Sequence, residues 1–265
     1  MHSKRSNLIN FLIKTCDKVS NAIIRDFYEL EKLQVSKKDL GGFVTNADVK
    51  AEKIIVKELS NFFPDSNFLL EERGEIINDP EFNYRWIVDA IDGTSNFMRG
   101  NPHFCISIAL EMTNIEKEII AGIIYCPITR DIYWSEKGKG AYYIDSTHLE
   151  RKIKVSGREK LSESVGTVSS ILGNYSTEEE KIYLLLKEQK ARFRITGSTA
   201  LDMAYIASGR FDFCVHDIIK LWDIAAGILL IREAGGIVSD FKSNHTIEEG
   251  SGMIGANPIL YNLIV

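Results

Sequence analysis

Residues 86–97 read Trp-Ile-Val-Asp-Ala-Ile-Asp-Gly-Thr-Ser-Asn-Phe, an apolar run that delivers two carboxylates, Asp89 and Asp92, to a turn at Gly93 and Thr94. Hard oxygen ligands at the exit of a buried strand can face a divalent cation, which would offset their mutual repulsion. The glycine lets backbone N–H groups approach an anion, and metal plus anion points to phosphate. Taken alone, the segment reads first as a turn after an apolar strand, with Asp89 as a helix cap. It is not alone. Phe68-Leu-Leu-Glu-Glu-Arg-Gly is a second apolar run, ending in Glu71 and Glu72, and Leu221-Trp-Asp-Ile-Ala-Ala-Gly places Asp223 at the head of an apolar helix that ends in Glu233-Ala-Gly-Gly. Each of these has an ordinary reading too, as solvated glutamates or a helix cap.

The elements that must position these acids alternate along the chain. Leu8, Phe11, Leu12, Val19, Ile23, Ile24, Phe27 and Leu30 form a helical stripe, and Asp48 can cap a second helix carrying Ile54, Ile55 and Leu59. Strands are expected at 104–112, 118–125, 131–135 and 141–144, joined by short turns as an antiparallel meander. Helices at 177–188, 198–207 and 223–233 follow, with strands at 192–195, 211–215 and 237–239. This is a layered α/β chain with largely antiparallel sheet. With 265 residues, 45% hydrophobic and 26% charged, it can bury a large core. Few prolines and no Ser- or Gly-rich connector predict one domain over 1–265, made of two closely packed lobes at about 1–150 and 151–265.

Composition narrows the function classes. A net charge of −5 supplies no basic field for nucleic acid or an anionic membrane. The longest apolar run, Ile224 to Ile231, falls far short of the ~20 residues a spanning helix needs. Lys14 interrupts the apolar stretch Leu8 to Ile13, and no cleavage site follows it, which predicts a soluble cytoplasmic protein. Cys16, Cys105, Cys126 and Cys214 show no CxxC spacing and read as reduced thiols. The five histidines are too scattered for an HExxH site, and no Walker loop is present.

Taken together and in this order, the motifs resemble those of the inositol monophosphatase family of magnesium-dependent, lithium-sensitive phosphatases. The first family motif is matched by Trp86 to Phe97 at all but one position, Ala90 standing where proline is usual. The second is matched by Trp222 to Gly227 and Glu233 to Gly236, and Gly197-Ser-Thr-Ala-Leu-Asp resembles the family's Gly-Ser-x-Ala helix. The resemblance implies an α-β-α-β-α sandwich, a phosphate monoester as small-molecule substrate and a homodimer, for which the apolar strands of the meander are expected to supply the surface.

It also implies the site. Glu71, Asp89 and the Ile91 carbonyl would hold one ion, and Asp89, Asp92 and Asp223 a second, with Asp89 bridging. The donors are all oxygen, which favours two or three Mg²⁺ ions, or Mn²⁺, over zinc. Orientation and deprotonation of the attacking water fall to Thr94 and Glu71. Asp48, in the segment Lys37 to Asp48 where Val44-Thr-Asn-Ala-Asp resembles a family element, would hydrogen-bond Thr94 or else serve only as a helix cap. Gly93 and Thr94 would hold phosphate oxygens, and Asp92, Gly197, Ser198, Thr199, Asp223 and His216 complete the substrate contacts. Two departures bear on substrate: His216 stands where inositol-hydrolysing relatives carry glutamate, and Gly42 replaces an acidic or amide residue. Three readings therefore remain: hydrolysis of inositol monophosphate or a similar polyol phosphate; the same chemistry on a sugar bisphosphate, 3′-phosphonucleotide or NADP; or a fold kept as a protein- or RNA-binding module.

Overall fold

The computed structural model describes residues 5–34, 40–114, 117–169, 177–248 and 250–265. Two long helices open it, α1 (Asn7–Gln34) and α2 (Leu40–Phe62). In α1 the residues three and four apart, Ile9, Leu12, Cys16, Val19, Ile23, Phe27 and Leu30, are all buried, as are Ala47, Ala51, Ile55 and Leu59 every fourth residue along α2. These faces cover one side of an eight-stranded sheet formed by β1 (Asn67–Leu70), β2 (Gly74–Ile76), β3 (Tyr84–Asp92), β4 (Cys105–Met112), β5 (Glu118–Tyr125), β6 (Ile132–Glu136), β7 (Gly140–Ile144) and β8 (Glu150–Lys152). Its order is β2-β1-β3-β4-β5-β6-β7-β8, and every pairing is antiparallel except β1 with β3.

A short helix, α3 (Thr94–Met98), follows β3. The rest of the chain supplies β9 (Val165–Val168), α4 (Thr177–Glu188), β10 (Arg192–Arg194), α5 (Thr199–Ala207), β11 (Phe213–His216), α6 (Leu221–Glu233), β12 (Ile237–Asp240), β13 (Met253–Ala256) and α7 (Pro258–Ile264). A five-stranded sheet runs β10-β9-β11-β13-β12. Helices α5 and α6 fill the space between the two sheets, their residues Ala200, Met203, Ala204, Ala225 and Ile231 packing with Ile124 and Tyr133 on one side and Cys214 and Val238 on the other. Leu186 of α4 and Leu260 of α7 pack with Phe213 and Ile254 on the far face of the second sheet. Five layers result, α-β-α-β-α, as the resemblance implies.

The middle layer is fitted closely. A Cβ at Gly122 of β5 would lie 3.0 Å from the Ala226 backbone of α6, and one at Gly227, on α6 itself, 2.5 Å from the Met203 sulfur of α5. Among the meander strands, β4 is buried at seven of its eight residues. Among the described residues, no helix is long and apolar enough to cross a membrane.

Candidate active site

The acids meet at the C-terminal end of β3. In a regular strand, residues 89 and 92 would point to opposite faces. The β3–β4 register shifts between them, Asp89 pairing with Ser107 and Asp92 with Cys105, so Ala90 and Ile91 on one strand oppose Ile106 alone on the other. This bulge brings both carboxylates to one side, and the Ile91 N–H donates to Asp89 Oδ1 at 2.9 Å. Asp89 thus lies within a strand, and its alternative reading as a helix cap does not hold. Gly93 then takes φ +100, and a Cβ there would meet the His103 and Gly197 carbonyls at 3.1 and 3.2 Å, so both conformation and space require glycine. Asn96 Nδ2 donates to the His103 and Thr196 carbonyls at 2.7 and 2.8 Å, tying α3 to the loop before α5.

Asp223 arrives from the first turn of α6, where its Oδ2 accepts the Lys220 N–H at 3.3 Å, and the Ser107 hydroxyl donates to the Trp222 carbonyl at 3.3 Å. Oxygens of Asp89, Asp92 and Asp223 lie within 4.8 Å of one another. Glu71 follows β1, its N–H on the Val88 carbonyl at 3.3 Å and its carboxyl hydrogen-bonded to Asp89.

Burial, followed by mutual repulsion, sets the ionisation of this cluster. Burial first, then the charges of Asp92, Glu71, Asp48 and Asp223, hold Asp89 well above the carboxylate range. Burial and then Asp92 push Asp223 up to about 7. Asp48 rises to about 8, through burial and then Glu71, Glu72 and Glu52. Burial also raises Asp92, although four donors oppose it. An oxygen-only cluster with this much unrelieved repulsion is a fitting receptor for a hard dication.

Several expected residues take different places. Asp48 lies in the interior of α2, eight residues beyond its start, so it is not that helix's N-terminal cap; residues 37–39 of its segment lie outside the described residues. Its Oδ1 is buried without a hydrogen-bond partner, and the Thr94 hydroxyl donates to the Ile91 carbonyl at 3.2 Å in place of Asp48. Ser198 is 2% exposed and its hydroxyl donates to Asp92 Oδ2 at 2.5 Å. The Ala200 N–H on the same oxygen, at 2.9 Å, makes the start of α5 a cradle for Asp92, with Thr199 between them. The Cys105 thiol also donates there, at 3.5 Å, a contact that a lone cysteine in an apolar strand does not announce in sequence. Gly197, at φ +81, packs against Asn96. His216 closes β11, 5% exposed, with Nε2 3.5 Å from Asp202 Oδ2 and no aligned hydrogen bond. Burial lowers its imidazole to about 4, so it is neutral at pH 7. Two residues on, Ile218 is 69% exposed at φ +50.

A five-layer sandwich with an oxygen-only acidic cluster at a strand end defines a metal-dependent phosphatase. The chain belongs to the inositol monophosphatase family, whose model matches residues 4–265. It is 39% identical over 264 residues to an inositol-1-monophosphatase of Mesorhizobium japonicum, covering 98% of this chain and 96% of that protein. It is 38% identical over 242 residues to the Nus factor SuhB of Xylella fastidiosa, covering 88% and 82%. Among solved structures, the extragenic suppressor protein SuhB of Bartonella henselae superposes with a TM-score of 0.82 at 35% identity, covering 97% of this chain and 98% of that one. The IMPase of Thermotoga maritima does so with a TM-score of 0.79 at 32% identity, covering 98% and 95%.

Proposed function

We propose that the protein is a Mg²⁺-dependent phosphomonoesterase that hydrolyses inositol monophosphate or a similar polyol phosphate. The observation that carries this reading is the convergence of Asp89, Asp92 and Asp223 within 4.8 Å, in surroundings that raise all three carboxyls and leave Asp48 Oδ1 unpartnered. Glu71, Asp89 and the Ile91 carbonyl would hold one ion, and Asp89, Asp92 and Asp223 another. Bound there, Mg²⁺ or Mn²⁺ supplies a Lewis acid that offsets phosphoryl charge and lowers the pKa of water.

The chain's own residues do the rest. Glu71, its carboxyl raised above the ordinary glutamate range chiefly by burial, is the acceptor for the proton that the attacking water gives up. The Thr94 hydroxyl, beside the Ile91 carbonyl, orients that water. Gly93 and Thr94, at the opening of α3, present backbone N–H groups to the phosphate oxygens. Asp92 is fixed by Ser198 and Ala200, so it need not reorganise during turnover.

A second substrate reading has its own observation. Lys220, at the head of α6, places its ammonium 5.7 Å from the Trp222 ring centroid and its charge is felt at Asp223. With His216 buried and neutral, this cation near Asp223 favours a substrate carrying a second anionic group, as in a sugar bisphosphate or a 3′-phosphonucleotide. A panel of inositol 1-phosphate, glycerol 2-phosphate, fructose 1,6-bisphosphate and 3′-phosphoadenosine 5′-phosphate, assayed with Mg²⁺ and with LiCl against KCl, separates the readings. Highest kcat/KM on the inositol ester with selective inhibition by LiCl supports the first, preference for a doubly anionic ester supports the second, and no hydrolysis of any member refutes both.

A further inference from the structure

Glu52 is a buried charge that the chemistry above does not use. It lies on α2 one turn beyond Asp48, its side chain 1% exposed, close enough to Asp48, Glu71 and Glu72 for its charge to raise each of them. A carboxylate buried among others of its sign needs specific partners. It has two. Oε1 accepts from Arg73 Nε at 2.6 Å, and Oε2 accepts the Glu72 backbone N–H at 3.1 Å.

Both partners belong to the turn that joins β1 to β2, directly after Glu71. That turn has little else to fix it: the strands on either side are four and three residues long. Glu71 is held on its N-terminal side by its own N–H on the Val88 carbonyl. Glu52 holds the other side, gripping the next backbone N–H and the next side chain but one. A bidentate carboxylate between a guanidinium and a backbone donor gives direction as well as attraction.

We infer that Glu52, clamped by Arg73, is a positioning residue that sets the Glu71 carboxylate against Asp89. The inference rests on the reading of Glu71 as metal ligand and proton acceptor. Without Glu52 the turn keeps its chain connections but loses the contact that aims Glu71, and small misplacements of such a group cost much of its effect. The hydrogen bonds of Glu52 run to Glu72 and Arg73, away from the backbone of Gly93 and Thr94 that would hold phosphate, so that hold is expected to stay as it is.

The test uses the full-length protein and the variants Glu52→Ala, Glu52→Gln, Arg73→Gln and Glu71→Gln, with Mg²⁺ affinity measured by calorimetry alongside kcat and KM. Glu52→Ala should weaken Mg²⁺ binding and lower kcat at saturating Mg²⁺, each by about 10- to 100-fold, the scale for losing a group that orients a ligand, with KM changed by less than about 3-fold. Glu52→Gln keeps an acceptor and should recover part of both losses. Arg73→Gln spares the Glu72 contact and should show the same pattern more weakly, and it decides with Glu52→Gln if Glu52→Ala does not fold. Normal Mg²⁺ affinity and kcat in these variants, whatever their Tm, overturn the inference, as does a loss carried by KM. Should Glu71→Gln itself bind Mg²⁺ and turn over normally, the site reading falls; should it be impaired while Glu52→Ala is not, only the inference falls.

Discussion

Asp48 and Asp92 are both almost wholly buried at the same acidic cleft, yet the protein treats them differently. Asp92 is held by a serine hydroxyl and a backbone N–H from the α5 side and by a thiol from β4, all on one oxygen. Asp48 approaches from the α2 side, where Oδ1 has no partner and its near neighbours are Glu71, Glu72 and Glu52. One side of the cleft is satisfied by the protein itself. On the other, Asp48, Glu71 and Asp89 are left with repulsion that a cation can relieve. Buried groups in that state destabilise the fold, so the contrast separates residues kept for structure and function together from residues kept for function against stability.

The largest effects should come from neutralising one acid of each kind. Asp92→Asn and Asp89→Asn should each lower kcat about 10²-fold or more, the scale for removing a group that acts on transition-state charge. Their stabilities should diverge: in EDTA, Asp89→Asn should melt above wild type because repulsion is relieved, and Asp92→Asn below it because charge-assisted hydrogen bonds are weakened. Calorimetric Tm values that move in the same direction break the comparison.

A smaller effect is expected from the cradle. Ser198→Ala removes the shortest donor to Asp92 but leaves the Ala200 N–H, so kcat should fall about 10-fold, in line with ~1.4 kcal/mol for one hydrogen bond to a charged group. An unchanged kcat would show that the remaining donors to Asp92 suffice without the serine hydroxyl.

The unsatisfied side should declare itself through pH. Asp48 and Asp223, at about 8 and about 7 in the folded protein, stand above the ~3.9 of an unfolded aspartate. The native state therefore binds protons that the unfolded chain has lost, and stability falls as pH rises toward 8. His216, lowered to about 4, has the opposite sign but is neutral in both states above about pH 7. Metal-free protein should lose several degrees of Tm between pH 6.5 and 8.5, corresponding to ~1 kcal/mol or more, and Mg²⁺ should close most of that gap. A slope that Mg²⁺ leaves untouched would assign it to Glu179 and Asp202, buried carboxyls also raised to about 7, instead of the cleft.

Least is expected at Cys105. Thiols are weak donors, and Cys105→Ala should change kcat by less than about 3-fold; a larger loss would make the thiol a full member of the cradle.

Much of the frame was legible because its signals are local. The strands at 118–125 and the helix at 177–188 match observed elements at both ends, and the other meander strands agree within a residue or two. The start of α2 was not legible: Gly41, Gly42, Val44 and Thr45 are poor helix formers, so the segment reads as a loop before a cap at Asp48, whereas the helix runs through it. Strands β9 and β13 are four residues long, contain glycine and owe their existence to neighbours distant in sequence. At the site, residue identity pointed to Glu71, Asp89, Asp92 and Asp223, but only the fold shows that a bulge turns two of them together, that Ser198 serves Asp92, and that His216 points inward. Such facts depend on which chain segments meet. No spacing within one segment encodes them.

The glycines around α6 give the cleft a manufacturing tolerance. The helix that carries Asp223 in its first turn is seated against the sheet at Gly122 and against α5 at Gly227 with no room for a methyl group. Asp89 and Asp92 leave from that sheet, and α5 holds Asp92. One added carbon at either glycine would therefore act as a shim, changing the spacing among three acids from a point that touches none of them. Drift in catalytic rate among homologues with identical acids is to be sought in these hidden spacers, where sequence variation looks like mere packing.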